Sequence, residues 1–320
     1  MTGIYKISFF FAISIFVAGF NPFACNEKLK VNKKYYLSGN IAKEETYLND
    51  KREGVSKLYY ESGAIRAEIN YILGNREGLS KLYFKSGKIQ EEINYENGKR
   101  QGLRTIYSKS GSISKIESYV SGKLEGESKI FFDSGKLFRL QNFKNYKKDG
   151  IRREYYKSGN IKNEFNYKNG NRDGLAREYY MDGSLKRETY FKNDLREGDG
   201  KEYFQSGITK VTRNYKDRDL NGKRTIYYES NAVFREDYFN RGELDGLSKV
   251  YFESGMVQRE IMYKDHKREG LSKEYYPSGK LYLLENFSEG KLENTSKAYF
   301  ENGKLSWVGV YLKDKLIPFA

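Results

Sequence analysis

Glycine recurs at every twenty-fourth position along nearly the whole chain: Gly39, Gly63, Gly87, Gly111, Gly135, Gly159, Gly183, Gly207, Gly255, Gly279 and Gly303, with Asn231 the one substitute. A second series runs in step with it through Gly54, Gly78, Gly102, Gly126, Gly150, Gly174, Gly198, Gly222, Gly246 and Gly270. No insertion breaks either series. A fixed period of this size requires a repeat architecture, in which each unit buries its surface against its neighbours.

The segment from Gly78 to Gln101 shows what one unit contains. Two strand-like runs, Leu79–Phe84 and Lys88–Tyr95, are rich in aromatic and β-branched residues. Ser86-Gly87 separates them, and Asn97-Gly98 leads into the next unit. Both dipeptides suit two-residue turns with positive backbone angles. The spacing leaves no room for a helix of ordinary length, so an all-β fold of twelve consecutive 24-residue hairpins is expected.

Three aromatic ladders share the period. One contains Tyr59, Tyr83, Tyr107, Tyr155, Tyr179, Tyr203, Tyr227, Tyr251 and Tyr275; a second runs from Tyr47 through Tyr71 and Tyr95 to Tyr311; a third runs from Tyr36 to Phe300 with a break at Ser108. With a two-residue turn at Ser62-Gly63, alternation puts Leu58, Tyr60, Ile65, Ile69 and Tyr71 on one apolar face. Glu53, Val55, Lys57, Tyr59, Arg66 and Glu68 fall on the other, a charged face carrying the first Tyr line. A three-residue turn would swap the two. Gly54 falls on the apolar face, where it would leave room for a ring from the next strand.

The run Y-x-N-G-K-R-x-G-x-x-x-x-Y-[YF]-x-S-G-x-[IL] resembles the MORN repeat, in the variant form found in bacterial arrays, among them the YwqK-type antitoxin family. The resemblance covers about residues 30–320. It implies an elongated, twisted, single-layer antiparallel meander that serves as an interaction platform. Tyr or Phe stands here where the eukaryotic form often carries Trp.

Residues 1–24 differ from everything after them. Lys6 precedes Ile7–Phe20, an uncharged apolar run long enough for a signal peptide and short for a membrane span. The single cysteine, Cys25, follows Ala24 and resembles the lipidated cysteine of a bacterial lipoprotein, although Pro22 and Phe23 depart from the usual lipobox. Cleavage elsewhere, such as after Gly19, and an uncleaved anchor are the alternatives. The expected organisation is a signal peptide over 1–24, a tether from lipidated Cys25 over 25–34, and a repeat array over 35–320. The array's last copy, with Trp307 and Pro318, reads as a cap on the open sheet edge. A secreted, envelope-anchored location follows from the same features.

The chain carries a formal charge of +15. Residues 1–24 hold one Lys and no acid, so +14 remains from Cys25 onward. The surplus favours an acidic protein or an anionic membrane surface, and the secretion signal argues against nucleic acid. No catalytic, metal or cofactor constellation is legible. His266 takes a slot filled elsewhere by turn glycines such as Gly74 and Gly98, so it reads as a turn residue. Glu53, Glu77, Glu125, Glu197 and Glu269 occur once per unit beside the turn, which points to a structural role. The expected function is a non-enzymatic envelope scaffold binding a partner protein, with the nine tyrosines Tyr59 to Tyr275 of the first ladder as the candidate binding face. An antitoxin that neutralises a toxin by binding it is the alternative that the family resemblance implies.

Overall fold

A computed structural model describes residues 29–318, so the expected signal peptide and Cys25 lie outside the described residues. These residues form one open antiparallel sheet of 32 strands in a meander, in which a two-residue strand such as Asn75–Arg76 and the strand after it pair side by side with the same preceding strand. The architecture is the all-β, single-layer meander expected.

One unit shows how the sequence makes it. Gly54–Tyr59 pairs with Ile65–Ile72, which pairs in turn with Asn75–Arg76 and Gly78–Tyr83. The Asn97-Gly98 turn is the two-residue type expected: φ is 50° and 76°, and Glu96 pairs with Lys99 across it. The Ser-Gly turn is not. Gly63 N–H donates to the Tyr60 carbonyl, and Tyr60 N–H donates to the Ala64 carbonyl, which makes a three-residue loop with Gly63 at φ 85°. Such a loop alone would exchange the faces. A bulge at Arg66 supplies a second one-residue shift: Tyr59 pairs with Ile65, but Leu58 pairs with Ala67. From Leu58–Ala67 outward the expected phase therefore holds. Near the turn it does not, and Ile65 stands opposite Tyr59 instead of Tyr60.

Along one face run Ser56, Leu58, Ala67, Ile69 and Tyr71; along the other run Val55, Lys57, Tyr59, Glu68 and Asn70. Only the first has a core, with Ser56, Ala67, Tyr71, Ser80 and Ile93 all buried. Among the described residues no second layer covers it, so these side chains are buried by neighbours on the same face.

Both margins of the sheet are stitched from unit to unit. At the Asn-Gly margin, Gly74 N–H donates to the Arg52 carbonyl and Gly98 N–H to that of Arg76, a bond that recurs to Asp314 and Leu292. At the Ser-Gly margin, the third ladder does the work. The hydroxyls of Tyr36, Tyr60, Tyr156, Tyr180, Tyr228 and Tyr276 donate to the carbonyls of Tyr59, Tyr83, Tyr179, Tyr203, Tyr251 and Tyr299, at 2.7 to 2.9 Å. Where Ser108 interrupts that ladder, its hydroxyl bonds Ser110 at 2.6 Å. Asn231 keeps the glycine's conformation at φ 69°.

Gly54 does not make room for a ring, as expected from sequence. A Cβ added there would meet nothing within 4 Å; the requirement is its φ of 72°. The expected tether also needs revision, because Lys30–Tyr35 is a strand paired to Ile41–Leu48. It is the sheet's exposed first edge, and its lysines suit a strand that must not pair with another chain. At the far end, Lys315–Ile317 is only three residues long, which limits pairing in the same way. Leu316 and Ile317 are nevertheless exposed.

Candidate binding surfaces

The nine tyrosines of the first ladder stand on the charged face and are half-buried. Basic and acidic residues face each other across the strands between them, as in Lys81–Glu92 at 3.4 Å, Arg177–Glu188 at 3.0 Å and Lys249–Glu260 at 2.9 Å. Five of the tyrosines donate their hydroxyl to a carboxylate of the preceding hairpin: Tyr83 to Glu68, Tyr107 to Glu92, Tyr203 to Glu188, Tyr251 to Glu236 and Tyr275 to Glu260. Burial and the adjacent carboxylate together push these phenols up, Tyr83 to about 12. Many charges and tyrosine hydroxyls of this face are therefore satisfied internally.

The opposite face has a different chemistry. Arg52 stacks over Tyr71, Arg76 over Tyr95, Arg100 over Tyr119, Arg172 over Phe191, Arg196 over Tyr215 and Arg268 over Phe287, at 4.1 to 5.4 Å from ring centroid to guanidinium. Each arginine comes from the strand just before a bulge glycine and lies against a ring one unit on, so rings and guanidinium groups alternate along the sheet. Leucine fills the arginine's slot at Leu124, Leu220, Leu244 and Leu292.

Beside this spine runs the buried row. Its first-strand slot is small in most units (Ser56, Ser80, Ser128, Ala176, Gly200, Ser248, Ser272 and Ser296) and long at Arg104, Arg152 and Arg224. Each long residue brings an acid with it. Arg104 binds Glu91 and Glu117, both at 2.8 Å, and Arg152 pairs with Glu154. Arg224 reaches Asp237, which is fully buried and also accepts from Arg235 Nε and Ser248 Oγ, both at 2.7 Å. Burial pushes the Asp237 carboxyl up, but those three donors outweigh it and hold the group below its usual range. Glu285 occupies the equivalent slot without an ion pair among the described residues, and burial, reinforced by Glu274, pushes it up.

Where the first-strand slot loses its hydroxyl in two successive units, at Ala176 and Gly200, the face opens. Ala176 and Thr189, the latter paired across the strands with Gly200, form the floor of a cavity of about 270 Å³, walled by Phe191, Tyr215, Glu178 and several arginines. Sequence reasoning missed this cavity and the buried ion pairs. Their signal was in the chain: a slot held by serine through most units changes to arginine in three and loses its hydroxyl in two. His266 is in a turn, as expected, with φ 67°; its Nδ1 accepts from Leu244 N–H at 2.9 Å and lies 2.7 Å from Glu243. Among the described residues no group of three or more His, Cys, Asp or Glu is placed to hold a metal ion.

The family model for the MORN repeat variant matches residues 30–49, 52–72, 76–97, 124–145, 148–169, 172–193, 244–265 and 268–289, together more than half of the chain. The chain belongs to the MORN repeat variant family. No curated protein matches it. Among solved structures, this MORN variant chain is similar to part of the TcdB2–TccC3 complex with Cdc42, at 13% identity over 88% of this chain and 17% of that one, with a TM-score of 0.19. It is similar in the same measure to a mutant of the Photorhabdus luminescens Tc holotoxin pore, at 14% identity, 88% and 17% coverage and a TM-score of 0.19. The MORN variant chain thus spans about a sixth of those chains, and at that TM-score the likeness carries no argument about it.

Proposed function

We propose that this protein is a non-enzymatic scaffold that binds a partner protein at the cell envelope, held there through Cys25. The observation that carries the reading is the single-layer sheet itself. Stitching at both margins holds each unit to the next, and both faces are left open to a partner. Family membership supports it, since MORN-type arrays commonly bind partners. The apolar run before Cys25 supports the envelope location.

Photo-cross-linking in cells tests both parts. A cross-linking residue at Leu103, exposed on the tyrosine face, or at Arg259, on the opposite face, should give a discrete adduct from one face in the membrane fraction. A diffuse background from both positions would remove the scaffold reading. Recovery of a soluble protein with residues 1–24 intact would remove the envelope location.

A further inference from the structure

The cavity over Ala176 and Thr189 has the chemistry of a receptor for one acidic side chain. At about 270 Å³ it falls below the ~300–1,000 Å³ typical of pockets that enclose a whole small-molecule ligand, but it can admit a side chain from a docked polypeptide. Its floor is small and uncharged. Its rings, Phe191 and Tyr215, offer apolar surface to the methylene stem of an inserted side chain.

The charge at its wall is incompletely matched. Arg187 and Arg213 both bind Glu202, at 2.7 and 2.6 Å, Arg172 binds Asp194 at 2.9 Å, and Glu178, the one carboxylate lining the cavity, is held by Lys186 at 2.8 Å and Arg187 at 3.7 Å. Arg196 also lines the cavity, lies 5.4 Å over the Tyr215 ring, and has no carboxylate partner among the described residues. A ring-stacked guanidinium held at the edge of a cavity keeps its donor fork in place for a carboxylate, which it can bind bidentately. The basic surplus of the chain favours an acidic partner before contact is made.

We propose that this cavity receives a side-chain carboxylate from an acidic segment of a partner polypeptide, with Arg196 as its principal donor. The proposal rests on the partner-binding reading above and gives that partner a chemistry and a place.

The array supplies its own test variants. Arg196→Leu installs the residue that the same slot carries at Leu124, Leu220, Leu244 and Leu292, so folding should be kept while the donor is lost. Ala176→Leu fills the floor and leaves every charge in place. Arg76→Leu is the control: the same slot, a ring-stacked arginine without an ion pair among the described residues, five units away from this cavity. The probe is a fluorescent twelve-residue peptide of glutamate, with its glutamine counterpart, titrated against the full chain by anisotropy while circular dichroism monitors the fold. The glutamate peptide should bind at least tenfold tighter than the glutamine one. Arg196→Leu and Ala176→Leu should each weaken it about tenfold, and Arg76→Leu by no more than about twofold. Equal weakening by Arg196→Leu and Arg76→Leu would show delocalised attraction and overturn the proposal, as would full affinity in Ala176→Leu. A cellular partner still cross-linked by the Ala176→Leu protein would also overturn it, while leaving the scaffold reading intact.

Discussion

The Tyr83 hydroxyl donates to a carboxylate oxygen of Glu68 across 2.6 Å, linking two consecutive hairpins on the face that carries the first tyrosine ladder. Burial favours the neutral phenol, as do this bond and the nearby Glu92, and the group rises from about 10 to about 12. A folded-state value above the unfolded one contributes stability that is fully present below pH 10 and is lost as the pH rises through about 12. Tyr107, Tyr203, Tyr251 and Tyr275 are shifted in the same direction by the same causes.

An alkaline unfolding transition is therefore expected above pH 10, with phenolate absorbance appearing together with loss of the β-sheet signal. Tyr83→Phe should cost about 1 kcal/mol, the usual net worth of one hydrogen bond at a half-buried site. Phenolate formation at the ordinary pH, with the sheet intact, would show that these bonds do not hold the hairpins together.

Asp237 tests whether the buried polar pairs stabilise the sheet or replace an apolar alternative. Asp237→Ile alone leaves Arg224 beside an apolar neighbour and should destabilise by about 3 kcal/mol, as expected when one partner of a buried pair is removed. Adding Arg224→Ser recreates the Ser–Ile pair present at Ser56–Ile69, Ser80–Ile93 and Ser248–Ile261, and should bring stability back to within about 1 kcal/mol of the parent. Hydrogen exchange in Gly222–Tyr227 and Val233–Asn240 measures this locally. Because the Asp237 carboxyl is held low, the pair's contribution is present above the ordinary carboxylate range and is lost as the pH falls through the lower folded-state value. Acidification should thus open these two strands in the parent but not in the double variant.

The repeat, the all-β class and the Asn-Gly turns were legible because each depends on local residue chemistry recurring at one spacing. The role of the repeated acids was legible for the same reason: Glu77 sits next to its bulge glycine, and its carboxylate accepts from Asn97 N–H at 2.7 Å. The Ser-Gly loop was not legible, since two- and three-residue turns share that dipeptide; the bulge at Arg66, which decides the register, has no residue signature of its own. Asp237 and the cavity over Ala176 depend on side chains meeting across strands, which a slot-by-slot comparison of units exposes and a reading along the chain does not.

Gly78 separates conformational demand from space. Its φ is 71°, and a Cβ there would touch nothing within 4 Å, so any cost of substitution comes from the backbone. Gly78→Ala should lose about 1–2 kcal/mol. Gly78→Asn should lose less, because Asn294 fills the equivalent slot at φ 63°. Equal losses for Ala and Asn in chemical denaturation would point to a steric cause instead.

Glu77 provides the sharpest test of how one unit holds the next. The same bond recurs from Leu73 N–H to Glu53, Asn145 to Glu125, Asp217 to Glu197 and Glu289 to Glu269, each spanning one unit. At Ser121 the acceptor is Gln101, at 2.8 Å, so the position needs an oxygen and not a charge. Glu77→Gln should accordingly leave stability within about 0.5 kcal/mol, whereas Glu77→Ala strands the Asn97 N–H and should cost about 1 kcal/mol. The effect should be local: the Asn97 amide exchanges faster in the alanine variant, while the Asn145 amide, two turns further along the array, keeps its rate. Loss of protection at both amides would mean that the turns are coupled along the array, and the carboxylates would then act on the whole sheet, not on one junction each.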